Sequence, residues 1–281
     1  MKGLLCCEAC TTTDYLELAL QLAQYRDEKY WDDVERIAMN QLLEGQMLRI
    51  DFVERIPAKD ILPVPKMETE WITTDHVLER SLGGFGIIAG PNDWLQMGES
   101  ATPALGQRGA QTLQCCFGSG PRGLYDAWYY AAQEDTDTVK VNLQFSKRLP
   151  SALITSYMPG KATLEIQMTQ GKKLLVRKPG WANAAQTRIL LNGKEQRTRL
   201  AGTYFDLGPL QAGTTVRIEF SDQTTRKKEK IGEVEFTTVW RGNAVVEMQP
   251  VGEIYPLYQG RDRQDGVKPL PFVSTTPINP L

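Results

Sequence analysis

The stretch "RGLYDAWYYAAQEDTDTVKVNLQF" at residues 122–145 divides the chain into two kinds of structure. Its first half sets Leu124, Ala127, Trp128 and Ala131 three and four residues apart, the spacing of one helix face. Its second half alternates Val139, Val141, Leu143 and Phe145, the period of a half-buried strand. The composition shifts between them at "EDTDT", residues 134–138, a natural boundary. The expected fold is therefore multidomain α + β, with helices over 1–135 and strands over 136–281.

Upstream, "DYLELALQLAQYRDE" places Tyr15, Leu18, Ala19, Leu22 and Tyr25 on one helical stripe, and Asp14 with Glu17 resembles a capping box. "WDDVERIAMNQLLEGQ" repeats the period with Val34, Ile37, Ala38 and Leu42, with Asp32 or Asp33 as the expected helix cap. Residues 50–114 lose regularity, with prolines 57, 63 and 65, "GGFG" at 83–86 and "GPNDW" at 90–94 as breakers. Downstream, "ATLEIQM" and "TTVRIEF" alternate and Asn192-Gly193 is a hairpin signal, so a β-sandwich is expected. Two further strands are expected around Arg241-Gly242-Asn243, with a proline-rich segment after them.

The 281 residues are 41% hydrophobic and 23% charged, with a net charge of −2. That balance argues against a nucleic-acid partner, which needs a concentrated positive face. The basic run "TRKKEK" at 225–230 is read as a solvated loop. No stretch approaches the roughly 18 apolar residues that a membrane span requires, and "GLL" near the start is too short for a secretory signal. The compartment stays open.

All five cysteines fall in "CCEAC" at 6–10 and "CC" at 115–116. Clusters of this kind differ from the spread-out, even framework of a secreted disulfide protein. Zinc takes four ligands, thiolates often among them. Two sets can be drawn: Cys7, Cys10, Cys115 and Cys116, all thiolate, or Glu8, Cys10, Cys115 and Cys116, with one oxygen donor. Buried free cysteines are the plainer alternative.

Several segments, in order, resemble glycoside hydrolase family 127, the β-L-arabinofuranosidase family. They are "EAC" at 8–10, "YWDDVERIAMNQLLEGQ", the vicinal Cys115-Cys116 followed by Arg122, "LLVRKPGWA" at 174–182 and "WRGNAVVEMQPVGEIYPLY" at 240–258. The resemblance implies the last helices of an (α/α)6 toroid followed by a β-sandwich. It implies Zn2+ held by Glu8, Cys10, Cys115 and Cys116, retaining hydrolysis with Cys115 as nucleophile, and Glu35 as a further acidic active-site residue. Zinc coordination would remove the thiol proton and so supply the nucleophilic form.

A retaining reaction also needs a general acid/base, which the resemblance puts upstream of Met1. The few helices legible here fall short of a whole toroid, so the chain is expected to be an N-terminally incomplete and inactive piece of a larger enzyme.

Trp94 and Arg122 are candidate substrate-binding residues, one by stacking on sugar and the other by hydrogen bonding to its hydroxyls, although Arg122 equally suits an ion pair. His76 is read as a surface residue. The expected partner is a carbohydrate, a terminal L-arabinofuranoside or similar plant-derived sugar, with a homodimer open. The rival reading is a non-catalytic, zinc-stabilised protein that binds carbohydrate or packs against a partner.

Overall fold

The computed structural model describes residues 8–56, 75–86, 89–94, 114–221 and 224–261. Helix α1 spans Ala9–Tyr25, α2 Trp31–Ile37, α3 Val77–Ser81 and α4 Gln114–Ala131. No helix among the described residues is long and apolar enough to cross a membrane.

Helix α1 begins five residues before the expected capping box, so Asp14 and Glu17 lie inside it rather than at its start. The expected apolar stripe is also corrected. Ala9, Thr13, Leu16, Ala19, Leu20 and Ala23 are buried, whereas Tyr15, Leu18 and Tyr25 are 65%, 55% and 80% exposed. The helix is apolar on more than one face, and periodicity alone does not choose between them. The small side chains Ala9, Ala19 and Ala23 lie on the buried side, where a neighbouring helix can approach closely.

That neighbour is α4, which starts eight residues earlier than "RGLYDAWYYAAQE" predicts and so takes up Cys115 and Cys116. Helices α1 and α4 run parallel and in step: Cys10 meets Cys116, Thr13 meets Ser119 and Glu17 meets Arg122. Glycine makes this approach feasible. A Cβ on Gly123 would stand 2.9 Å from Thr13 Oγ1, and one on Gly120 would stand 2.3 Å from the Phe85 ring. Reciprocally, a Cβ on Gly84 would stand 2.0 Å from the Phe117 ring. The "GGFG" segment is thus a clamp on α4 as well as a turn.

Helix α2 continues into a π-turn, Ala38–Leu42, where Asn40 leaves the helical region at φ −108° and ψ −105°. The Asn40 amide donates to the Asn243 carbonyl at 2.8 Å and accepts from Val245 N at 2.7 Å. This kink has a named cause: a buried side chain ties the helix to the last sheet.

The strands are β1 Ala132–Glu134, β2 Thr138–Val141, β3 Lys147–Arg148, β4 Ala152–Ser156, β5 Thr163–Met168, β6 Lys172–Arg177, β7 Arg188–Leu191 and β8 Lys194–Glu195. They continue with β9 Arg199–Ala201, β10 Tyr204–Leu210, β11 Thr215–Glu219, β12 Thr224–Ile231, β13 Val234–Arg241 and β14 Ala244–Gln249. One sheet has the order β1-β2-β6-β10-β9 and a second β3-β4-β5-β11-β7-β8. All pairings are antiparallel except β2 with β6. Val139, Val141, Leu174 and Val176 of the first sheet share one core with Ile154, Leu164, Ile166, Val216 and Ile218 of the second. Each such side chain, fully buried, contributes about 1.5–3 kcal/mol of transfer free energy.

A third sheet, β12-β13-β14, packs Phe236, Val245 and Met248 against Met47, Phe52, Trp94 and Tyr255. The "TRKKEK" run lies in β12 rather than in a loop, paired with β13 from Thr224↔Arg241 to Ile231↔Val234. It is an exposed edge strand, which hides its alternation, and lysines on such an edge discourage pairing with other chains.

Candidate metal–thiolate centre

Glu8 occupies the position just before α1, but its side chain makes no capping bond. Its backbone carbonyl instead accepts from Thr12 N at 3.0 Å and Thr12 Oγ1 at 2.9 Å, and Thr11 Oγ1 lies 3.3 Å from the carboxylate. The carboxylate is therefore left to face the first turn of α4. Because the two helices are parallel, both N-termini open at the same place, and helix N-termini favour thiolate over thiol.

The ligand atoms of Glu8, Cys10, Cys115 and Cys116 all lie within 4.8 Å of one another. Cys10 Sγ is 3.7 Å from Cys116 Sγ, which is 4.0 Å from Cys115 Sγ. Tetrahedral zinc with bonds of about 2.3 Å to sulfur requires sulfur–sulfur separations of about 3.8 Å. The donor set thus fits zinc in number, type and spacing. Cys116 is buried, Cys10 half-buried and Cys115 exposed.

Burial, reinforced by the neighbouring thiols, pushes the Cys116 thiol up to about 12. Burial likewise raises Cys10. A nearby cation is what would offset these costs. The other set drawn from sequence includes Cys7, which with Cys6 lies outside the described residues.

Glu35 does not join this group. It is 0% exposed on α2, accepting from Gln144 N at 3.0 Å, Asn243 Nδ2 at 2.7 Å and Arg177 Nη2 at 3.4 Å. Burial pushes its carboxyl above the ordinary range, partly offset by the Arg177 charge. The expected active-site acid is thus a buried joint between α2, the first sheet and the β13–β14 turn. Asp32, expected as a helix cap, belongs to the same joint: it bonds Arg177 Nη1, Gly180 N and Asn243 Nδ2 at 2.9, 2.9 and 3.0 Å. Burial opposes its ionisation, yet Arg177 and these donors hold it below the usual carboxylate range.

Trp94 is 1% exposed, stacked among Phe52 and Tyr255 with Nε1 donating to the Gly45 carbonyl at 2.8 Å. A ring so enclosed offers no face to a sugar, and the expected stacking role is corrected to core packing. Arg122 Nε lies 2.7 Å from Glu17 Oε1, with Asp14 Oδ1 3.4 Å from Nη2. It links α4 to α1 on the exposed side. His76 is exposed, with Glu79 3.9 Å away.

Sequence reading gives Arg177 no role, although a charged residue ending the apolar run "LLVR" is a signal for it. It meets Asn243 only as a turn residue, whereas the structure joins both to Asp32 and Glu35.

No family model matches the chain, and no curated protein sequence does. Solved structures do match. One is a GH127 β-L-arabinofuranosidase from Geobacillus stearothermophilus T6, at 15% identity and TM-score 0.52, over 85% of this chain and 36% of that one. The fold is that of family 127 glycoside hydrolases.

A second GH127 β-arabinofuranosidase aligns at 16% identity and TM-score 0.54, over 85% of this chain and 36% of its own. A protein described as a glycoside hydrolase aligns at 15% and 0.56, covering 85% and 37%. The chain therefore spans little more than a third of the length of the solved structures it matches.

Proposed function

We propose that this chain carries the zinc–thiolate centre of a retaining glycoside hydrolase acting on terminal L-arabinofuranosides or similar sugars. The observation that carries the reading is the convergence of Glu8, Cys10, Cys115 and Cys116, with Cys115 alone exposed among the three described thiols. Residues 1–135 are read as part of a toroidal catalytic unit, and 136–281 as the strand region that supports it through the Asp32–Arg177–Glu35 joint.

When bound, zinc would keep the thiols deprotonated and fix their directions. Glu8, Cys10 and Cys116 are the holding groups. Cys115 Sγ forms the new bond to the anomeric carbon as the glycosidic C–O bond breaks and the leaving oxygen takes a proton from a general acid. Water then adds to the same carbon, the C–S bond breaks, and the water's proton returns to that group, so the configuration is retained. Glu35 is not that general acid, because its carboxylate is fully buried and held by three donors.

The test is covalent capture. Zinc-loaded protein treated with an L-arabinofuranosyl bromoacetamide should carry the adduct on Cys115 by peptide mapping. An adduct on Cys116, or spread evenly over the thiols, contradicts the assignment.

A further inference from the structure

Thr12 and Thr13 are neighbours on α1, yet their hydroxyls go to different places. Thr12 Oγ1 donates back to the Glu8 carbonyl at 2.9 Å, the ordinary choice for a threonine inside a helix. Thr13 Oγ1 donates instead across the helix pair, to the Ser119 carbonyl of α4 at 2.9 Å. Thr13 is 0% exposed, so no solvent competes for that hydroxyl. Gly123 leaves room for it: a Cβ there would stand 2.9 Å from Thr13 Oγ1 and 3.0 Å from its Cγ2.

The bond falls about one helical turn below the metal donors. Thr13 follows Cys10 by three residues, and Ser119 follows Cys116 by three. In two parallel helices, fixing one level fixes the next. Sliding α4 along α1 by a single residue is a shift of about 1.5 Å, whereas ligand distances at a metal tolerate about 0.2 Å. Apolar packing is non-directional and does not set a register this finely; a hydrogen bond does. Helix α4 also needs support in this turn, because Pro121 lies inside it and supplies no N–H to the Phe117 carbonyl.

We propose that Thr13 is a positioning residue of the metal centre. Its hydroxyl, held by the Ser119 carbonyl, pins α1 to α4 and so sets the 3.7 Å separation of the Cys10 and Cys116 sulfurs. Cys115 and Cys116 come from one helix and keep their spacing whatever α1 does. Glu8 and Cys10 come from the α1 side and depend on the pin.

The inference rests on the metal reading given above, and the experiment separates the two. Zinc affinity of the full chain is measured by competition with a chromophoric chelator for the parent, Thr13→Val and Thr13→Ser. Valine keeps the shape and loses the hydroxyl; serine keeps the hydroxyl and loses a methyl. A side chain that merely fills the interface would spare Thr13→Val and harm Thr13→Ser. The expected order is the reverse: binding weaker by about tenfold or more in Thr13→Val and near the parent's in Thr13→Ser. With Co2+ in place of zinc, the near-ultraviolet thiolate-to-metal band should shift in Thr13→Val alone.

A second arm reads the register without metal. The chelator-stripped chain is treated with diamide, which takes up two electrons and two protons as Cys10 and Cys116 join in a disulfide. Peptide mapping follows the cross-link, which should form more slowly in Thr13→Val than in the parent or Thr13→Ser. A parent that cross-links but binds no zinc overturns the metal reading, and the cross-linking rates then decide the pin. A parent that does neither overturns both. Thr13→Val that binds zinc as tightly as the parent, or cross-links as fast where the parent binds none, overturns the role of Thr13. So does Thr13→Ser as impaired as Thr13→Val.

Discussion

The sulfurs of Cys10 and Cys116 lie 3.7 Å apart although 106 residues separate them, because two parallel helices start side by side. Any change that moves α4 along α1 should therefore weaken the centre before it unfolds the protein. Gly120→Ala is such a change, since its Cβ would meet the Phe85 ring at 2.3 Å. Overpacking of this kind costs about 1–3 kcal/mol. Chemical denaturation should show that loss, and chelator competition should show weaker zinc binding. Unchanged zinc affinity in Gly120→Ala would mean that the clamp does not set the helix register.

Leu16 and Leu18 are two residues apart on α1 and should respond in opposite ways. Leu16 is 0% exposed and Leu18 55%. Leu16→Ala should cost about 2–5 kcal/mol, while Leu18→Ala should stay within about 0.5 kcal/mol. A reversed order in urea unfolding would restore the stripe expected from sequence.

That stripe shows where sequence reading stops. The start of β2 at Val139 and Val141 and the helical periods of α2 and α4 were legible from their spaced apolar residues. The alternation expected to run on to Phe145 stops at Val141, beyond which Asn142 and Gln144 are buried beside Leu143. The side of α1 was not legible, since Tyr15, Leu18 and Tyr25 are as apolar as the residues that α4 covers. The four metal donors were legible as residue types in two short clusters. Which carboxylates serve chemistry and which serve structure was not. Asp32 and Glu35 are spaced like any helix-surface pair, and only the fold brings Arg177 between them. Trp94 likewise reads as a loop aromatic until Phe52 and Tyr255 enclose it.

The Asp32–Arg177 pair predicts an acid limb in stability. Asp32 has a folded-state pKa below its unfolded value near 3.9. Its stabilisation is thus present above that unfolded value and lost as pH falls through the lower, folded one. Asp32→Asn should remove this part of the acid limb. At neutral pH it should also cost about 3 kcal/mol or more, because Arg177, with a side chain 2% exposed, loses its best partner. Stability profiles of the two proteins that run parallel from pH 7 to pH 3 would show that the pair contributes nothing of the kind.

Metal content tests the central claim most directly. Elemental analysis of the purified chain and of Glu8→Ala, Cys116→Ser and Cys7→Ser, each dialysed against the same weak chelator, asks which four donors hold zinc. The account predicts about one zinc per chain in the parent and in Cys7→Ser. It predicts a marked loss in Glu8→Ala and near-complete loss in Cys116→Ser. Full zinc in Glu8→Ala together with loss in Cys7→Ser would contradict it, placing the metal in an all-thiolate structural site with no sulfur set apart for catalysis.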